Sequence, residues 1–277
     1  MLSDGMRERD GDERTSAVTK LIESGAGATG LAAAGVAGFL VGGAVGAAAG
    51  GAVGAMLQDG MKAAVGEVAE RLTTRTERER VGSCLVLAHK LIAERLNDGQ
   101  PLRSPGFFQR RERKAQQDLR SEAEELLEGT FLAARDAYEE RKVELLARFY
   151  ANAAFDKDFD PGQLNHTLNL AKLLTYRQLV ILGIIGGGDL CSVRDADFSN
   201  SSSLTISTVG VLYEMYQMVM LDLIVMKGVL ILGVSSINPG QLSLQGTGVA
   251  LFNLLRPDQV PSEDQRFFYD AFPAVAE

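Results

Sequence analysis

The chain has 277 residues, of which 46% are hydrophobic and 23% charged, with a formal net charge of −8 and a sequence pI near 5.0. This composition is typical of a globular protein with room for more than one domain, and its acidity argues against a protein that coats nucleic acid through bulk charge. Any contact with nucleic acid must therefore be local. The two cysteines, Cys84 and Cys191, lie far apart in apolar surroundings, which favours a reducing compartment over a disulfide framework.

A long segment without charge follows a polar tail at residues 1–23 and runs from Ser24 to Gln58. As one helix it would extend about 50 Å, which exceeds the ~30 Å hydrocarbon core of a bilayer. Small residues of this kind let helix backbones approach closely inside lipid. We predict that residues 24–58 form a glycine-zipper transmembrane segment, as one crossing or as a tight hairpin. The zipper glycines recur at every fourth position, at Gly38, Gly42, Gly46, Gly50 and Gly54.

The alternative interpretation of this segment is a soluble linker or core helix rich in glycine and alanine. Each glycine costs about 1 kcal/mol relative to alanine in a water-exposed helix, whereas in lipid the backbone has to satisfy its own hydrogen bonds. Large apolar residues are few, so the insertion of a single copy is marginal. We therefore expect insertion into the lipid bilayer to be coupled to self-association, in a homo-oligomer of four or more subunits that hides the glycine row.

Residues 59–160 are predicted to form a helical stalk and bundle, since apolar residues recur at helical spacing from Gln58 to about Asn97 and from about Ala115 to Ala154. Prolines and glycines mark a break between these two helical stretches. Phe107 and Phe108 lie in this break and would be available for stacking. The break is either a solvated loop or a contact for the phosphates of lipid headgroups or of a nucleotide ligand. Its basic residues are Arg103, Arg110, Arg111, Arg113 and Lys114.

Residues 161–277 are predicted to contain strands as well as helices, in an order that resembles a winged helix-turn-helix. Asp160 and Pro161 open a helix, and a later helix reads STVGVLYEMYQMVML. This second helix would be the reading helix, yet it carries no Arg or Lys, so duplex DNA recognition is doubtful and an interaction platform or a ligand sensor is expected. The remaining predicted elements are an apolar helix from Tyr176 to Ile185 ended by Gly186–Gly188, a polar connector at 189–203, a strand-like run from Ile224 to Gly233, a turn at Asn238–Gly240, and a short strand entering a helix at Thr247 or Gly248.

Patterns of catalytic chemistry are missing from the sequence. His89 and His166 lie in amphipathic helices without neighbouring cysteines, and the glycines at 186–188 lack the strand-to-helix context of a dinucleotide site. Asp189, Asp195 and Asp197 are typical of caps and turns in a connector rich in serine and glycine. We therefore predict no catalytic residue, no cofactor, no metal site and no enzymatic activity. The predicted fold class is mainly α, with a winged-helix-like α+β module at residues 161–277.

Three features together resemble a group of bacterial membrane proteins that act as toxic effectors in anti-phage defence. They are the zipper segment, the stretch EERKVELLARFYANAAFD, and LTYRQLVILGII leading into the winged module. The combination resembles in particular the membrane effector of Hailong-type systems. This resemblance implies an oligomeric ion channel that is held closed by a nucleotide-derived ligand, opens during infection and depolarises the membrane, in an abortive response.

The resemblance also implies where the protein acts and with which partners. Its body would be cytoplasmic at the bacterial inner membrane and would bind a single-stranded oligonucleotide, with the stretch from Arg110 to Lys114 as a contact. A nucleotide-synthesising partner protein would be the other partner. The competing hypothesis is a membrane-tethered winged-helix regulator or scaffold without channel activity, in which the zipper only brings copies together.

Overall fold

The computed structural model describes residues 19–27, 29, 52–110, 120–188, 204–229 and 231–272. Helices dominate these ranges, and the strands within them form one two-stranded sheet, so the prediction of a mainly α protein is confirmed. The chain divides into two compact units between Lys172 and Leu173. The helix that starts at Pro161 therefore belongs mainly to the first unit, although the sequence placed it at the start of the second domain.

The first unit is helical wherever it is described. Its core forms where α3 packs against α5 and α6, while α5 also contacts α2 and α6. The apolar stripe predicted for α3 is confirmed, since Val81, Leu85 and Ile92 are at most 1% exposed. The helices are α1 (19–27), α2 (Ala52–Ala69), α3 (Arg75–Asn97), α4 (Pro105–Phe108), α5 (Glu122–Arg135), α6 (Glu140–Ala153) and α7 (Pro161–Leu173).

Two of the helix boundaries in this unit are set by capping boxes. Thr74 accepts a hydrogen bond from the backbone N–H of Glu77, and the Glu77 carboxylate accepts one from the N–H of Thr74 in return. These backbone hydrogen bonds hold the pKa of Glu77 at about 2. Ser121 and Glu124 form the same pair at the start of α5. Such side chains accept hydrogen bonds from backbone N–H groups at the start of a helix, which have no partner within the helix. They therefore fix the residue at which each helix begins.

The prediction of one helix from about Ala115 to Ala154 is wrong over its described part. α5 ends at Arg135 and α6 begins at Glu140, with a turn between them. The break is favoured by Asp136, whose carboxylate accepts hydrogen bonds from Arg135 and Lys172. These contacts lower the pKa of Asp136, and the hydrogen bond from Arg135 is their largest contribution. The turn thereby folds α6 back onto α5, a step that helical periodicity alone does not encode.

The second unit has the order helix, helix, strand, strand, helix, helix. β1 and β2 are antiparallel, with Val225 opposite Ser243. This order contains the predicted one and adds a last helix, Ser262–Ala271, that the sequence interpretation lacked, while the assignment to a winged-helix family stays a prediction. The elements are α8 (Tyr176–Gly187), α9 (Ile206–Met220), β1 (Ile224–Met226), β2 (Leu242–Leu244), α10 (Thr247–Leu255) and α11 (Ser262–Ala271).

The strand-like run from Ile224 to Gly233 is much shorter in the structure than the sequence indicates. β1 ends at Met226, and Gly228 has a φ of +75°, a left-handed conformation that turns the chain. Val229 and Leu232 beyond the turn are 47% and 78% exposed. An apolar run predicts a buried strand only if a partner covers it. The sheet instead ends at Met226, which lies opposite Leu242, the first residue of β2.

Glycines set both the end of α8 and its closest packing contact, and the sequence predicted the first of these. Gly188 has a φ of +75° at the C-terminal cap, so the predicted helix stop at Gly186–Gly188 is confirmed. Gly183 meets the backbone of the 3₁₀ turn at 257–259, and a Cβ built on it would lie 2.4 Å from the carbonyl oxygen of Pro257. Gly187 has no atom within 4 Å of such a Cβ.

Substituting these two glycines tests the packing of α8. Gly183→Ala drives a methyl group into a backbone carbonyl, and overpacking of this kind costs about 1–3 kcal/mol. Gly187→Ala meets open space and gains up to about 1 kcal/mol of helix propensity. We expect a lower thermal unfolding midpoint for Gly183→Ala and an equal or higher one for Gly187→Ala. Equal midpoints for the two variants would contradict this packing of α8.

Membrane-spanning helices are not evident in the described ranges. Taken singly, none of the described helices is both long and apolar enough to cross a bilayer, and only α7 and α8 together reach that length and composition, across a break. Gly38, Gly42, Gly46 and Gly50 lie outside the described residues. Gly54, the last glycine of the row, lies in α2 and is buried. The transmembrane zipper therefore stays a prediction.

Candidate functional site: the two attachments of the glycine-rich segment

The segment that precedes the glycine row is attached to the body through a backbone contact. α1 buries Leu21, Ile22 and Ala26, each at most 6% exposed. A Cβ on Gly25 would lie 2.0 Å from the carbonyl carbon of Gly82 in α3, and a Cβ on Gly82 would lie 2.3 Å from the carbonyl oxygen of Leu21. The α1 and α3 backbones therefore touch where they cross, which only glycine at both positions permits. We call this contact the α1 attachment.

The segment that follows the glycine row is attached through side chains. α2 starts at Ala52 and packs against α5. Its buried stripe continues the spacing of the glycine row, because Gly54 is followed on the same face by Gln58, Met61 and Val65. Gly54, the last position of the face predicted to pack in lipid, thus lies on the face of α2 that packs in the protein core. We call this contact the α2 attachment.

Ion pairs flank the α2 attachment on the side of α5. Arg120 contacts both Glu67 of α2 and Glu128 of α5, and Arg71, in the turn after α2, lies 2.6 Å from Glu128. The Glu128 side chain is 14% exposed, so its charge is poorly solvated and depends on these arginines. These charge-assisted hydrogen bonds link the end of α2 to α5.

Both attachments are made to the same unit, which constrains the path of the chain. Residues 28–51 lie between α1 and α2. Wholly helical, they would measure about 36 Å, and as two equal legs about 18 Å each. A single crossing of a ~30 Å core would require the ends to lie on opposite faces of the bilayer. With both attachments formed, the segment leaves the body and returns to it.

Arg103, one of the predicted phosphate contacts, binds other residues of the first unit through its guanidinium. Its Nη1 and Nη2 donate to the carbonyl oxygens of Asp156 and Phe159 at 2.6 and 2.7 Å. Its guanidinium also stacks 4.4 Å above the centroid of the Phe107 ring. Burial lowers its pKa. The side chain therefore ties the loop after α3 to the segment after α6.

The rest of the predicted basic site is only partly described. Arg110 forms an ion pair at 2.7 Å with Glu124, whose side chain is 4% exposed. Phe107 and Phe108 are each 3% exposed and contact each other edge to face. The expectation that these phenylalanines stack on bases is wrong, because their rings anchor the short helix α4 in the core. Arg111, Arg113 and Lys114 lie outside the described residues.

The buried ionisable groups of this unit are structural in character. Burial lowers the pKa of His89 to about 4 and raises that of the Cys84 thiol to about 12, which makes His89 neutral and Cys84 a poor nucleophile at pH 7. Burial also lowers the pKa of Lys142 to about 8, and its Nζ donates to the carbonyl of Lys172 at 2.7 Å. Across the described ranges, no three His, Cys, Asp or Glu residues are grouped to hold a metal ion.

Comparison with known proteins does not assign the chain to a family. No family model, no curated protein and no solved structure matches the chain. The function therefore has to be argued from the two attachments and from the sequence between them.

The α1 attachment was missed by sequence reasoning, although one signal pointed to it. Gly82 interrupts the apolar stripe of α3 beside Val81, and a glycine inside a helix costs about 1 kcal/mol relative to alanine. Such a glycine usually has a packing reason. Its partner, Gly25, could not be recognised among the many glycines that follow.

A matched pair of substitutions in α1 tests the backbone contact. Gly25→Ala places a methyl group inside the backbone of Gly82 and should detach α1 from α3, whereas Gly27→Ala has no atom within 4 Å of the new Cβ. Hydrogen exchange of the amides at 19–27 should accelerate at least tenfold in Gly25→Ala and should be unchanged or slower in Gly27→Ala. Similar exchange in both variants would rule out the crossing at Gly82.

The pKa of His89 can be measured directly, because the chain has only two histidines. A His166→Gln variant leaves a single imidazole, whose ring signals should titrate near pH 4 by NMR. The lowered pKa means that the unfolded state binds the proton more tightly. Protonation of His89 therefore leaves the free energy of unfolding unchanged above about pH 6.5. It lowers that free energy as the pH drops from 6.5 towards 4, by up to about 1.4 kcal/mol per pH unit. Titration near pH 6.5 would contradict the burial of His89 in α3.

Proposed function

We propose that this protein is an oligomeric membrane effector, in which the glycine-rich segments of several copies assemble in a bilayer and conduct ions. The observation that carries the proposal is the double attachment of this segment to one helical body. A segment held at both ends responds to any rearrangement of the body to which it is attached. The uncharged composition of residues 24–58 and the glycine row at Gly38, Gly42, Gly46, Gly50 and Gly54 support bilayer packing between copies.

The lengths involved support a two-state mechanism. With both attachments formed, residues 28–51 can enter a bilayer only as a hairpin whose legs reach about 18 Å, which is short of a ~30 Å core. With α1 released from α3, the same residues and their helical flanks are long enough to cross once. The released state is then the conducting state, and the doubly attached state is closed.

The attachment that opens would be the one at α1. Its contact with α3 buries three apolar side chains and the Gly25–Gly82 backbone crossing, whereas α2 buries a longer stripe and adds the ion pairs of Arg71 and Arg120. Each fully buried leucine or isoleucine contributes about 1.5–3 kcal/mol. A ligand that binds the attached state about 10⁴-fold more tightly, near 5.5 kcal/mol, would move the assembly from almost wholly open to almost wholly closed.

The basic stretch after α4 supports a phosphate-bearing ligand for this control. Arg110, the first residue of the stretch, pairs with Glu124, and Arg120, beyond the stretch, pairs with Glu67 of α2, so residues on both sides of 111–119 are linked to carboxylates at the α2 attachment. Single-stranded oligonucleotide bound by Arg111, Arg113 and Lys114 would act beside these ion pairs. The resemblance to Hailong-type effectors supports the same ligand, a nucleotide-synthesising partner protein and a role in abortive anti-phage defence. It further supports placement at the bacterial inner membrane with the body in the cytoplasm.

Membrane depolarisation in cells tests this function. Expression of the intact chain without its restraining ligand should collapse the inner-membrane potential, read with a voltage-sensitive dye, and arrest growth. Deletion of residues 28–51 should abolish both effects. Gly25→Ala should increase depolarisation because it releases α1, and Gly27→Ala is its matched control. A membrane-bound intact chain that leaves the potential unchanged, in the parent and in Gly25→Ala, would refute the channel.

The second candidate function is a membrane-tethered regulator or scaffold without channel activity. It is favoured by the uncharged, exposed face of α9 in the second unit, which suits a protein partner better than nucleic acid. A scaffold would locate to membranes and associate without changing the membrane potential. The same dye measurement therefore separates the two candidates.

A further inference from the structure

The outer face of α9 carries a row of apolar side chains that the described residues of the second unit do not cover. Residues at these positions repeat with alternating spacings of three and four, which is the a/d pattern of helices that pair along a seam. The opposite face of α9 is the core face, where Val211, Leu212, Met215 and Met218 are fully buried. The row consists of Ile206 (94% exposed), Val209 (43%), Tyr213 (53%), the half-buried Tyr216 and Met220 (66%).

This face is free of charge, although 23% of the residues of the chain are charged. Its other exposed positions within α9 are Ser207, Gly210 and Gln217. Glu214 is turned to the side and forms an ion pair with Arg177 of α8 at 3.1 Å. A nucleic-acid interface needs cations for phosphates, and this face has none.

A shallow groove lies beside the row and extends it. The groove has a volume of about 420 Å³ and lies between the start of α8 and the second half of α9. Leu174, Tyr213 and Met220 contribute its apolar walls, and Gln178 donates to Gln217 across it at 2.9 Å. Tyrosine and methionine are typical of the centre of a protein interface. The groove is therefore suited to apolar side chains from a facing helix.

We infer that the row on α9 is the docking surface for a second copy of this chain, with α9 packed against α9. A two-fold interface sets the same patch against itself, so a patch whose charges all had one sign would repel its own copy. The α9 face avoids this repulsion, whereas a protein with a net charge of −8 meets it over much of its remaining surface. The contact goes beyond the proposed function, since it forms whether or not the glycine-rich segment inserts.

Cysteine cross-linking of the full chain in intact cells tests the inferred seam. Tyr213 lies at the midpoint between Ile206 and Met220, so Tyr213→Cys should form a disulfide dimer whether the two helices run parallel or antiparallel. The background is Cys191→Ser, and Cys84 is buried. Ser207→Cys, exposed on the same helix but off the row, is the matched control. We expect at least tenfold more cross-linked dimer from Tyr213→Cys than from Ser207→Cys under mild oxidation.

Charge placed on the row should separate the copies without unfolding the chain, because the side chains at its two ends are largely exposed. Ile206→Glu combined with Met220→Glu should reduce the Tyr213→Cys cross-link at least tenfold, and Ser207→Glu should not. Equal cross-linking at positions 207 and 213 would overturn the inference. So would a Tyr213→Cys variant whose new thiol neither cross-links nor reacts with a maleimide, since the row would then be covered within one chain.

The outcomes also separate this inference from the proposed function. A chain that depolarises the membrane without a cross-link at position 213 refutes the α9 contact and leaves the channel intact. A chain that cross-links at position 213 without depolarising the membrane supports the α9 contact and refutes the channel.

Discussion

The contact between the backbones of Gly25 and Gly82 is the constraint on which the arrangement of the first unit depends. Neither residue can carry a side chain without displacing a carbonyl group of the other helix. Because α1 precedes the glycine-rich segment and α2 follows it, this contact and the α2 packing together bring both ends of the segment to one body. In the proposed function, the conformation of the body therefore controls a segment that would otherwise be a simple membrane anchor.

The two attachments differ in the forces that form them. The α1 attachment relies on close backbone packing and a small buried area, which is lost as soon as the helices separate by a small distance. The α2 attachment combines a long apolar stripe with charge-assisted hydrogen bonds from Arg71 and Arg120. Removing both arginines would leave the poorly solvated carboxylate of Glu128 without these two countercharges. The weaker attachment is therefore the one at α1.

Charge is distributed differently over the two units. In the first unit Arg103, Arg110 and Arg120 are held by carbonyls and carboxylates, so their charges position helices as well as facing solvent. In the second unit the outer face of α9 has no charge. The helix that would read DNA in a winged helix is here suited to contact another protein surface.

The sequence by itself determined the features that depend on neighbouring residues. Helical spacing indicated that the residues of α3, α5 and α6 are helical, Asp160 and Pro161 marked the start of α7, and Gly188 ended α8, because caps and periodicity act within a few residues. Tertiary structure alone decided the partner of Gly25, the burial of Phe107 and Phe108, the early end of β1, and the commitment of Arg103 to backbone carbonyls. Each of these depends on atoms that are far apart in the chain. Close packing fixes them only after the helices have met, so no local pattern records them.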